Sequence, residues 1–331
     1  MKRFLLLLST LFAAQAAASR GVGNLRCEYL TAPIGIGTKE ARLGWEMLST
    51  EQNAGQSGYA LALATHPDRL EDGPRIESGE MRATAGGLEP FTEYWWRVSV
   101  WDERGRRLRS PVATFETGML STSDWQGEWI GDGLGALHKP APCFRREFRV
   151  EKPVASARLY ITSAGLNVVR LNGGKVGESE LDPAYTKFDR RTLGSAFDVT
   201  RSIRRGANAI GVTLGNGWYN HQSSAVWDFH RAYWRARPVF LLNLRIVYAD
   251  GSVETIVTDS SWRTVDSGPI RFNSIYTAEH YDARLETPGW DEAGFDDSAW
   301  RTAVETTSPT REISAQTMHP YASPTSCALS G

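Results

Sequence analysis

The residues best suited to chemistry form a glycine-bounded aromatic turn in the second half of the chain. Gly215-Asn216-Gly217-Trp218-Tyr219 is followed by Asn220 and His221, and a second aromatic run extends from Trp227 to Trp234. Such a group favours stacking of a sugar ring on Trp or Tyr, with Asn and His bonded to its hydroxyls. Alternatively the aromatics fill core under a long loop, which is the commoner fate of a single aromatic. For the group we predict carbohydrate binding through Trp218, Tyr219 and Asn220.

Acidic side chains are dense further along the chain: Glu279, Asp282, Glu286, Asp291, Glu292, Asp296 and Asp297. A glycosidase needs two carboxyl groups about 5–5.5 Å apart for retention or about 6.5–9.5 Å apart for inversion, and spacing along the chain does not establish either distance. Most surface acids are solvated or paired. We therefore interpret these as turn and salt-bridge acids, expect Asp282 to pair with Arg284, and predict no catalytic residue.

Oxygen ligands for a metal are the third option. Side-chain and backbone oxygens around Asn172, Asp182 or Asn216 are of the type that Ca²⁺ prefers, although the chain has no EF-hand loop. The six histidines are scattered without zinc-ligand spacing. The chain also lacks a GxSxG elbow, a P-loop and a dinucleotide fingerprint.

Composition limits the class of protein. The 331 residues favour about two domains. The net charge is −1, with no basic patch, so nucleic acid is not an expected partner. The 12 tryptophans and 31 glycines suit a β-rich protein with many turns.

The N-terminus reads as a secretory signal over residues 1–18. Lys2-Arg3 precedes an apolar run from Phe4 to Phe12, and alanines at 14–18 offer cleavage sites. The run is far shorter than the ~20 residues that span a bilayer, so we predict a secreted or periplasmic protein without a membrane anchor.

The three cysteines, Cys27, Cys143 and Cys327, cannot all pair. A Cys27–Cys143 bridge and two separate thiols both stay open.

Period-two patterns predict short strands along both halves and hardly any helix. In residues 25–118 the clearest is Tyr94, Trp96, Val98 and Val100, after a run typical of the tyrosine corner of a fibronectin type III or Ig-like sandwich. Residues 124–305 contain several continuous apolar runs, as expected for strands inside a second, larger sandwich. Residues 306–331 lose the pattern and are predicted to be an irregular tail. The predicted fold class is all-β.

Motifs in this order resemble the N-terminal part of bacterial family 78 α-L-rhamnosidases. The resemblance covers nearly the whole chain after the signal and is strongest in Leu171-Asn172-Gly173, Asp182-Pro183, Phe197-Asp198-Val199-Thr200, Leu214-Gly215-Asn216-Gly217-Trp218-Tyr219, Tyr281-Asp282-Ala283-Arg284 and Gly289-Trp290-Asp291. One departure is Ala278, which stands where the family pattern leads us to expect glycine.

The resemblance implies a fibronectin-like domain followed by a jelly-roll-type, galactose-binding-like sandwich. It also implies an (α/α)₆ barrel carrying the catalytic acids, which we do not find before Gly331. Some relatives bind L-rhamnose through Ca²⁺ on such a sandwich. On this chain, that implies a carbohydrate site near Asn172, Trp218, Tyr219 and Asn220, with Asn216 and Asp182 as calcium ligands.

The expected function is a secreted carbohydrate-recognition or scaffold portion of an α-L-rhamnosidase, inactive as a hydrolase alone. Its expected partners are rhamnose-containing glycans or glycosides. Two alternatives stay open: a subunit that completes the enzyme with a separately encoded catalytic barrel, or a truncated product without function.

Overall fold

The computed structural model describes residues 20–224, 226–318 and 321–322. The predicted signal segment and Cys327 lie outside them. Within the described part, no helix is long and apolar enough to cross a membrane. Its helices are short 3₁₀ segments at Pro67–Arg69, Thr122–Asp124, Thr200–Ser202, Val226–Arg231 and Ala283–Leu285, of which Val226–Arg231 is interrupted by a kink at Trp227 and Asp228.

The first domain is an antiparallel sandwich. Its strands are β1 Gly21–Cys27, β2 Glu40–Leu48, β3 Gln56–Ala64, β4 Ile76–Glu77, β5 Arg82–Gly86, β6 Glu93–Asp102, β7 Arg107–Arg109 and β8 Ala113–Glu116. One sheet has the order β1-β2-β5; the other has the order β4-β3-β6-β7, with β8 also paired to β6. Trp45, Trp96 and Phe115 are buried in the core of this domain.

The predicted tyrosine corner is present in this domain. The hydroxyl of Tyr94, on β6, accepts a hydrogen bond from the backbone N–H of Glu89 at 2.9 Å. The ring itself stacks on Phe115 with the centroids 5.2 Å apart. One side chain therefore fixes the loop before β6 and also fills the core, as in immunoglobulin-like sandwiches.

The turn between β6 and β7 is organised by the buried carboxylate of Asp102. It accepts hydrogen bonds from the backbone N–H groups of Arg104 and Arg106 and from the guanidinium of Arg106, at 2.8–2.9 Å. Burial alone would raise the pKa of Asp102, but these hydrogen bonds outweigh it and lower the pKa to about 2. The folded state therefore favours the ionised carboxylate.

A folded pKa below the unfolded value means that this stabilisation is complete above about pH 4 and is lost as pH falls toward 2. We expect Asp102→Asn to lower the urea midpoint at pH 5 and to flatten its dependence on pH between 4 and 2. The exposed Asp68→Asn serves as the control. Parallel midpoint curves for wild type and Asp102→Asn would contradict the assignment.

The second domain is a larger sandwich. Its strands are β9 Trp129–Gly131, β10 Cys143–Val150, β11 Val154–Ala164, β12 Leu166–Leu171, β13 Gly174–Lys175, β14 Ser179–Glu180, β15 Arg191–Asp198, β16 Gly206–Gly215, β17 Val239–Tyr248, β18 Val253–Val257, β19 Arg263–Val265, β20 Ile270–Ser274, β21 Ala278–Tyr281, β22 Arg301–Thr302, β23 Val304–Thr306, β24 Glu312–Ala315 and β25 Tyr321–Ala322.

Two sheets make up the body of this sandwich. The six-stranded sheet has the order β13-β12-β16-β10-β19-β22, and the seven-stranded sheet has the order β23-β9-β17-β11-β15-β24, with β18 added on β17. Pairs β20–β21 and β14–β25 are separate ribbons. Between the sheets lie fully buried side chains including Phe144, Phe240 and Trp262. Several central strands, among them β11, β16 and β17, have consecutive buried residues and are therefore covered on both faces.

Residues 312–316 differ from the irregular tail that the sequence predicts. Glu312–Ala315 forms β24, which pairs in parallel with β15. The next residue, Gln316, bonds to the carboxylate of Asp182 at 2.9 Å and to the backbone of Ala184 at 2.8 Å. This segment is ordered because it pairs with residues that are distant in sequence, and local periodicity does not predict such pairing.

The two sandwiches contact each other through charged and aromatic side chains. Arg158, on β11, donates to the carboxylate of Glu116, on β8, at 2.9–3.0 Å. Phe91 of the first domain packs edge-on against Tyr160 of the second, with the centroids 5.8 Å apart. The second sandwich therefore rests on a defined face of the first.

Cys27 and Cys143 are free, buried thiols. They lie on β1 and β10, in different sandwiches, so of the two alternatives the structure has separate thiols.

Candidate functional site

The aromatic turn of residues 216–221 follows β16 at one end of the larger sandwich. Gly217 has φ of +51°, and a Cβ there would lie 2.9 Å from the side chain of Leu166, so glycine permits both the turn and the close packing. The turn carries Trp218 outward and Tyr219 inward. Consecutive residues of one turn therefore have opposite environments.

Asn216 and Asn220 hold this turn together. The Nδ2 of Asn220 donates to the Oδ1 of Asn216 at 2.9 Å and to the carbonyl of Ala136 at 3.0 Å. Asn216 in turn bonds through its backbone and side chain to Asn273 on β20, at 2.6 and 3.0 Å. Arg235 donates to the Oδ1 of Asn220 at 2.9 Å. Both asparagines are buried, so their amides position the turn and do not face solvent.

Trp218 lies in a surface cluster that we call the aromatic end, made of Tyr185, Trp218, Phe229 and Tyr276. The ring of Tyr185 lies 5.7 Å from that of Trp218 and 5.6 Å from that of Phe229. The indole N–H of Trp218 donates to the hydroxyl of Tyr276 at 3.1 Å. Tyr185 and Tyr276 are each 44% exposed, so the cluster offers aromatic faces and hydroxyls to solvent.

Tyr219 belongs to the core beneath this cluster. Its ring packs edge-on against Phe188 at 5.1 Å, beside Ala164. Burial raises the pKa of Tyr219 to about 12. The core alternative, weighed from the sequence, is therefore the observed one for Tyr219, while Trp218 is half-buried at the surface.

His221 supports the aromatic end from below. Its side chain is fully buried and its ring lies 5.5 Å from that of Tyr276. Burial, together with the nearby His230 and Arg235, lowers the pKa of His221. A neutral imidazole under Tyr276 is the expected state near neutral pH.

Asn172 does not join this group. Asn172 follows Leu171, the last residue of β12. The first residue of that strand, Leu166, pairs with Gly215, and the two ends of the strand are five residue steps, or roughly 17 Å, apart. Its amide bonds to Asn208, to the carbonyl of Ser202 and to the backbone of Ala209, at 2.8–3.0 Å. The single site that the resemblance implied is therefore corrected: Asn172 stabilises the far end of the sheet.

The residues expected to bind calcium, Asn216 and Asp182, make hydrogen bonds within the protein. The Oδ1 of Asn216 accepts from Asn220 at 2.9 Å, and the Oδ1 of Asp182 accepts from Gln316 at 2.9 Å. Ca²⁺ takes six to eight oxygen ligands. No group of three or more His, Cys, Asp or Glu able to hold a metal occurs within the described residues.

Several acids between residues 279 and 297 have partners within the protein, among them Asp282, Asp291 and Asp297. Asp282 bonds to the guanidinium of Arg284 at 2.7–2.8 Å, which confirms the expected local pair. That hydrogen bond lowers the pKa of Asp282, and bonds from Ser298 lower that of Asp296. A general acid of a glycosidase needs a raised pKa. These two acids have the opposite property.

Sequence reasoning missed Tyr185 as part of the site and gave Tyr276 no binding role. Tyr185 precedes β15 and Tyr276 lies in the turn between β20 and β21, so folding alone brings them to Trp218. The sequence contains one weak signal for a binding role: both residues are tyrosines in short polar loops, where an aromatic side chain is not necessarily buried.

Comparison with known proteins places this fold in a family. Residues 152–323, more than half of the chain, match the α-L-rhamnosidase N-terminal domain. The chain belongs to this α-L-rhamnosidase N-terminal domain family. Residues 22–121 match the N-terminal immunoglobulin domain of Rha78A-like proteins. The predicted all-β fold with an Ig-like first sandwich is therefore confirmed; the finer fibronectin type III assignment stays a prediction.

Similar proteins are longer. An α-L-rhamnosidase of Formosa agariphila is 33% identical over 291 residues, which cover 81% of this chain and 31% of that protein. The α-L-rhamnosidase structure from Dictyoglumus thermophilum superposes with a TM-score of 0.80 at 31% identity, over 89% of this chain and 35% of that one. The native enzyme from Aspergillus terreus gives 0.79 at 28% identity, over 90% and 35%. This rhamnosidase-family chain spans about a third of these relatives.

Proposed function

We propose that this chain is the secreted, carbohydrate-recognising scaffold portion of an α-L-rhamnosidase, and that the aromatic end binds a terminal α-L-rhamnosyl unit. The observation that carries the proposal is the partly exposed cluster around Trp218, built on a turn that Asn216 and Asn220 hold together. Rigid aromatic faces bind the apolar side of a sugar with little loss of side-chain entropy. The family membership supplies the substrate class.

We also infer that the described residues recognise sugar without hydrolysing it. Asp291 is paired with Arg170 at 2.5 Å, and Asp297 is paired with the buried Arg145. Both carboxylates are therefore engaged by guanidinium groups of the protein itself. Glycosidic cleavage needs a protonated acid opposite a free carboxylate, so the chain alone should leave p-nitrophenyl α-L-rhamnopyranoside intact.

Trp218→Ala is expected to weaken binding of methyl α-L-rhamnopyranoside at least tenfold. The reason is the loss of a stacking face together with its hydrogen bond to Tyr276; an aromatic contact of this size contributes about 1–3 kcal/mol. Calorimetric titration of the full chain measures the affinity, once with Ca²⁺ and once with chelator.

Trp95→Ala is the matched control, because Trp95 is also half-buried but lies on β6 of the first domain. We expect it to bind as wild type does, and chelator to leave the affinity unchanged. Equal affinity in wild type and Trp218→Ala would refute the site, and loss of binding in chelator would point to a metal-mediated one.

A second candidate function is docking to a separate catalytic chain. It is favoured by Trp227 and Tyr233, which are 76% and 72% exposed beside the aromatic end. Large exposed aromatics are typical anchors of protein interfaces. Mixing this chain with the part of the Formosa agariphila relative that it does not span should then produce rhamnosidase activity, and Trp227→Ala should reduce it.

A further inference from the structure

A trough runs across the outer face of the six-stranded sheet, away from the aromatic end. Its floor is one lateral row of the sheet: Val168 pairs with Thr213, Thr213 with Cys143, and Cys143 with Val265. Directly paired residues share one face of a sheet. This row therefore presents two valines, a thiol and a hydroxyl to the same space.

The segment between β19 and β22, which includes the β20–β21 hairpin and the loop that carries Trp290, lines the sides of the trough. The indole of Trp290 packs on Gly211, where an added Cβ would lie only 2.7 Å from the ring, and it stacks on Trp300 with the centroids 6.1 Å apart. Ile270 and Tyr281 also line the trough, whose volume is about 470 Å³. That volume lies within the range of small-molecule sites.

The rim of the trough is polar. Arg170 bonds to Asp291 at 2.5 Å and to the carbonyl of Gly173 at 2.7 Å. The hydroxyl of Tyr281 donates to Glu286 at 2.6 Å. An apolar floor with hydroxyl, carboxylate and guanidinium groups at its edge matches the two-sided chemistry of a pyranose.

One hairpin joins the trough to the aromatic end. Ile270 pairs with Tyr281 at the trough, and Ser274 pairs with Ala278 at the other end of the same ribbon. β20 spans four residue steps, or roughly 13 Å. The turn beyond Ala278 carries Tyr276, which bonds to Trp218 at 3.1 Å. A ligand lying along the hairpin therefore reaches both places.

We propose that the trough is a second subsite for a neutral oligosaccharide whose terminal sugar occupies the aromatic end. This inference rests on the proposed function. Among the described residues that line the trough, Arg170 is the one cation; it is balanced by Asp291, and Glu286 adds one further negative charge. An acidic sugar is therefore repelled, whereas a neutral pyranose of the same chain stacks over Trp290 and bonds to the rim.

The test compares two neutral probes on the full chain: methyl α-L-rhamnopyranoside and a rhamnose-terminated tetrasaccharide. Val168→Arg fills the trough without removing a packed side chain, since Val168 is 38% exposed. We expect it to weaken tetrasaccharide binding at least tenfold and to leave the monosaccharide affinity unchanged. Tyr281→Ala, at an exposed wall residue, should act in the same direction. The matched control is Val253→Arg, at a valine 49% exposed on β18.

Each outcome separates the two sites. Tetrasaccharide affinity unaffected by both Val168→Arg and Tyr281→Ala overturns the trough, while monosaccharide binding lost in Trp218→Ala still supports the aromatic end. Tetrasaccharide binding that depends on Val168 but not on Trp218 supports the trough and overturns the aromatic end. No binding of either probe to wild type overturns both.

Discussion

Replacing Arg237 with alanine is expected to lower the free energy of unfolding by about 3–5 kcal/mol, because it leaves a buried carboxylate without its partner. Asp132 is 1% exposed and Arg237 is 7% exposed. The guanidinium bonds to both carboxylate oxygens at 2.7–3.2 Å and to the carbonyls of His138 and Pro140 at 2.8 and 2.7 Å. These contacts tie the loop after β9 to the start of β17.

Urea unfolding at neutral pH measures this loss. Arg149→Ala is the control, because the Arg149–Glu151 pair is two-thirds exposed and such pairs contribute about 0–1 kcal/mol. Removing both charges together, as Arg237→Leu with Asp132→Leu, should recover part of the loss, since the isolated buried charge is then gone. A single variant as stable as Arg149→Ala would refute the argument.

Replacing Arg145 with alanine is expected to cost about 3 kcal/mol in stability and most of the tetrasaccharide affinity assigned to the trough. Arg145 lies on β10 with its side chain 1% exposed. It donates to the carbonyls of Trp290 and Glu292 at 2.9 and 3.0 Å and pairs with Asp297. One buried cation therefore holds the loop that carries the Trp290 wall.

The control for this prediction is Arg263→Ala. Arg263 is the backbone partner of Arg145 across β10 and β19, but its side chain is exposed. Among the described residues, that side chain bonds only to the hydroxyl of Thr302, at 3.0 Å. Arg145→Ala should weaken tetrasaccharide binding and leave methyl α-L-rhamnopyranoside binding intact, whereas Arg263→Ala should change neither. A thermal unfolding curve distinguishes loss of the loop from loss of the fold. If the Arg145→Ala protein were destabilised but bound the tetrasaccharide as tightly as wild type does, Arg145 would have no role in ligand binding at the trough.

Ala278 departs from the family pattern at a position whose backbone conformation favours glycine. The resemblance led us to expect glycine at this position, and the structure gives Ala278 a φ of +79°, in the left-handed region that favours glycine. Ala278 is the first residue of β21 and lies at the turn of the β20–β21 hairpin, close in sequence to Tyr276. The departure from the family pattern therefore lies in the β20–β21 ribbon, which joins the trough to the aromatic end.

Local patterns in the sequence determined the elements and several of the short-range contacts. Alternation predicted the strand at Tyr94–Val100, the corner motif predicted the hydroxyl bond of Tyr94, and two residues of spacing predicted the Asp282–Arg284 pair. Each of these depends on neighbours within a few residues, where backbone geometry leaves little choice. The sequence also marked Trp218 and its turn as the place to look.

Only the tertiary structure decided which of those marked residues share a surface. Trp218 and Tyr219 are adjacent in sequence, yet Tyr219 is buried in the core whereas Trp218 is half-buried at the edge of that core, next to the partly exposed Tyr185 and Tyr276. Asn172 is separated from Asn216 by the length of β12. The trough joins residues from Cys143 to Trp300 through strand register and loop packing. Such long-range pairings are set by the burial of whole sheet faces, which no short stretch of sequence encodes.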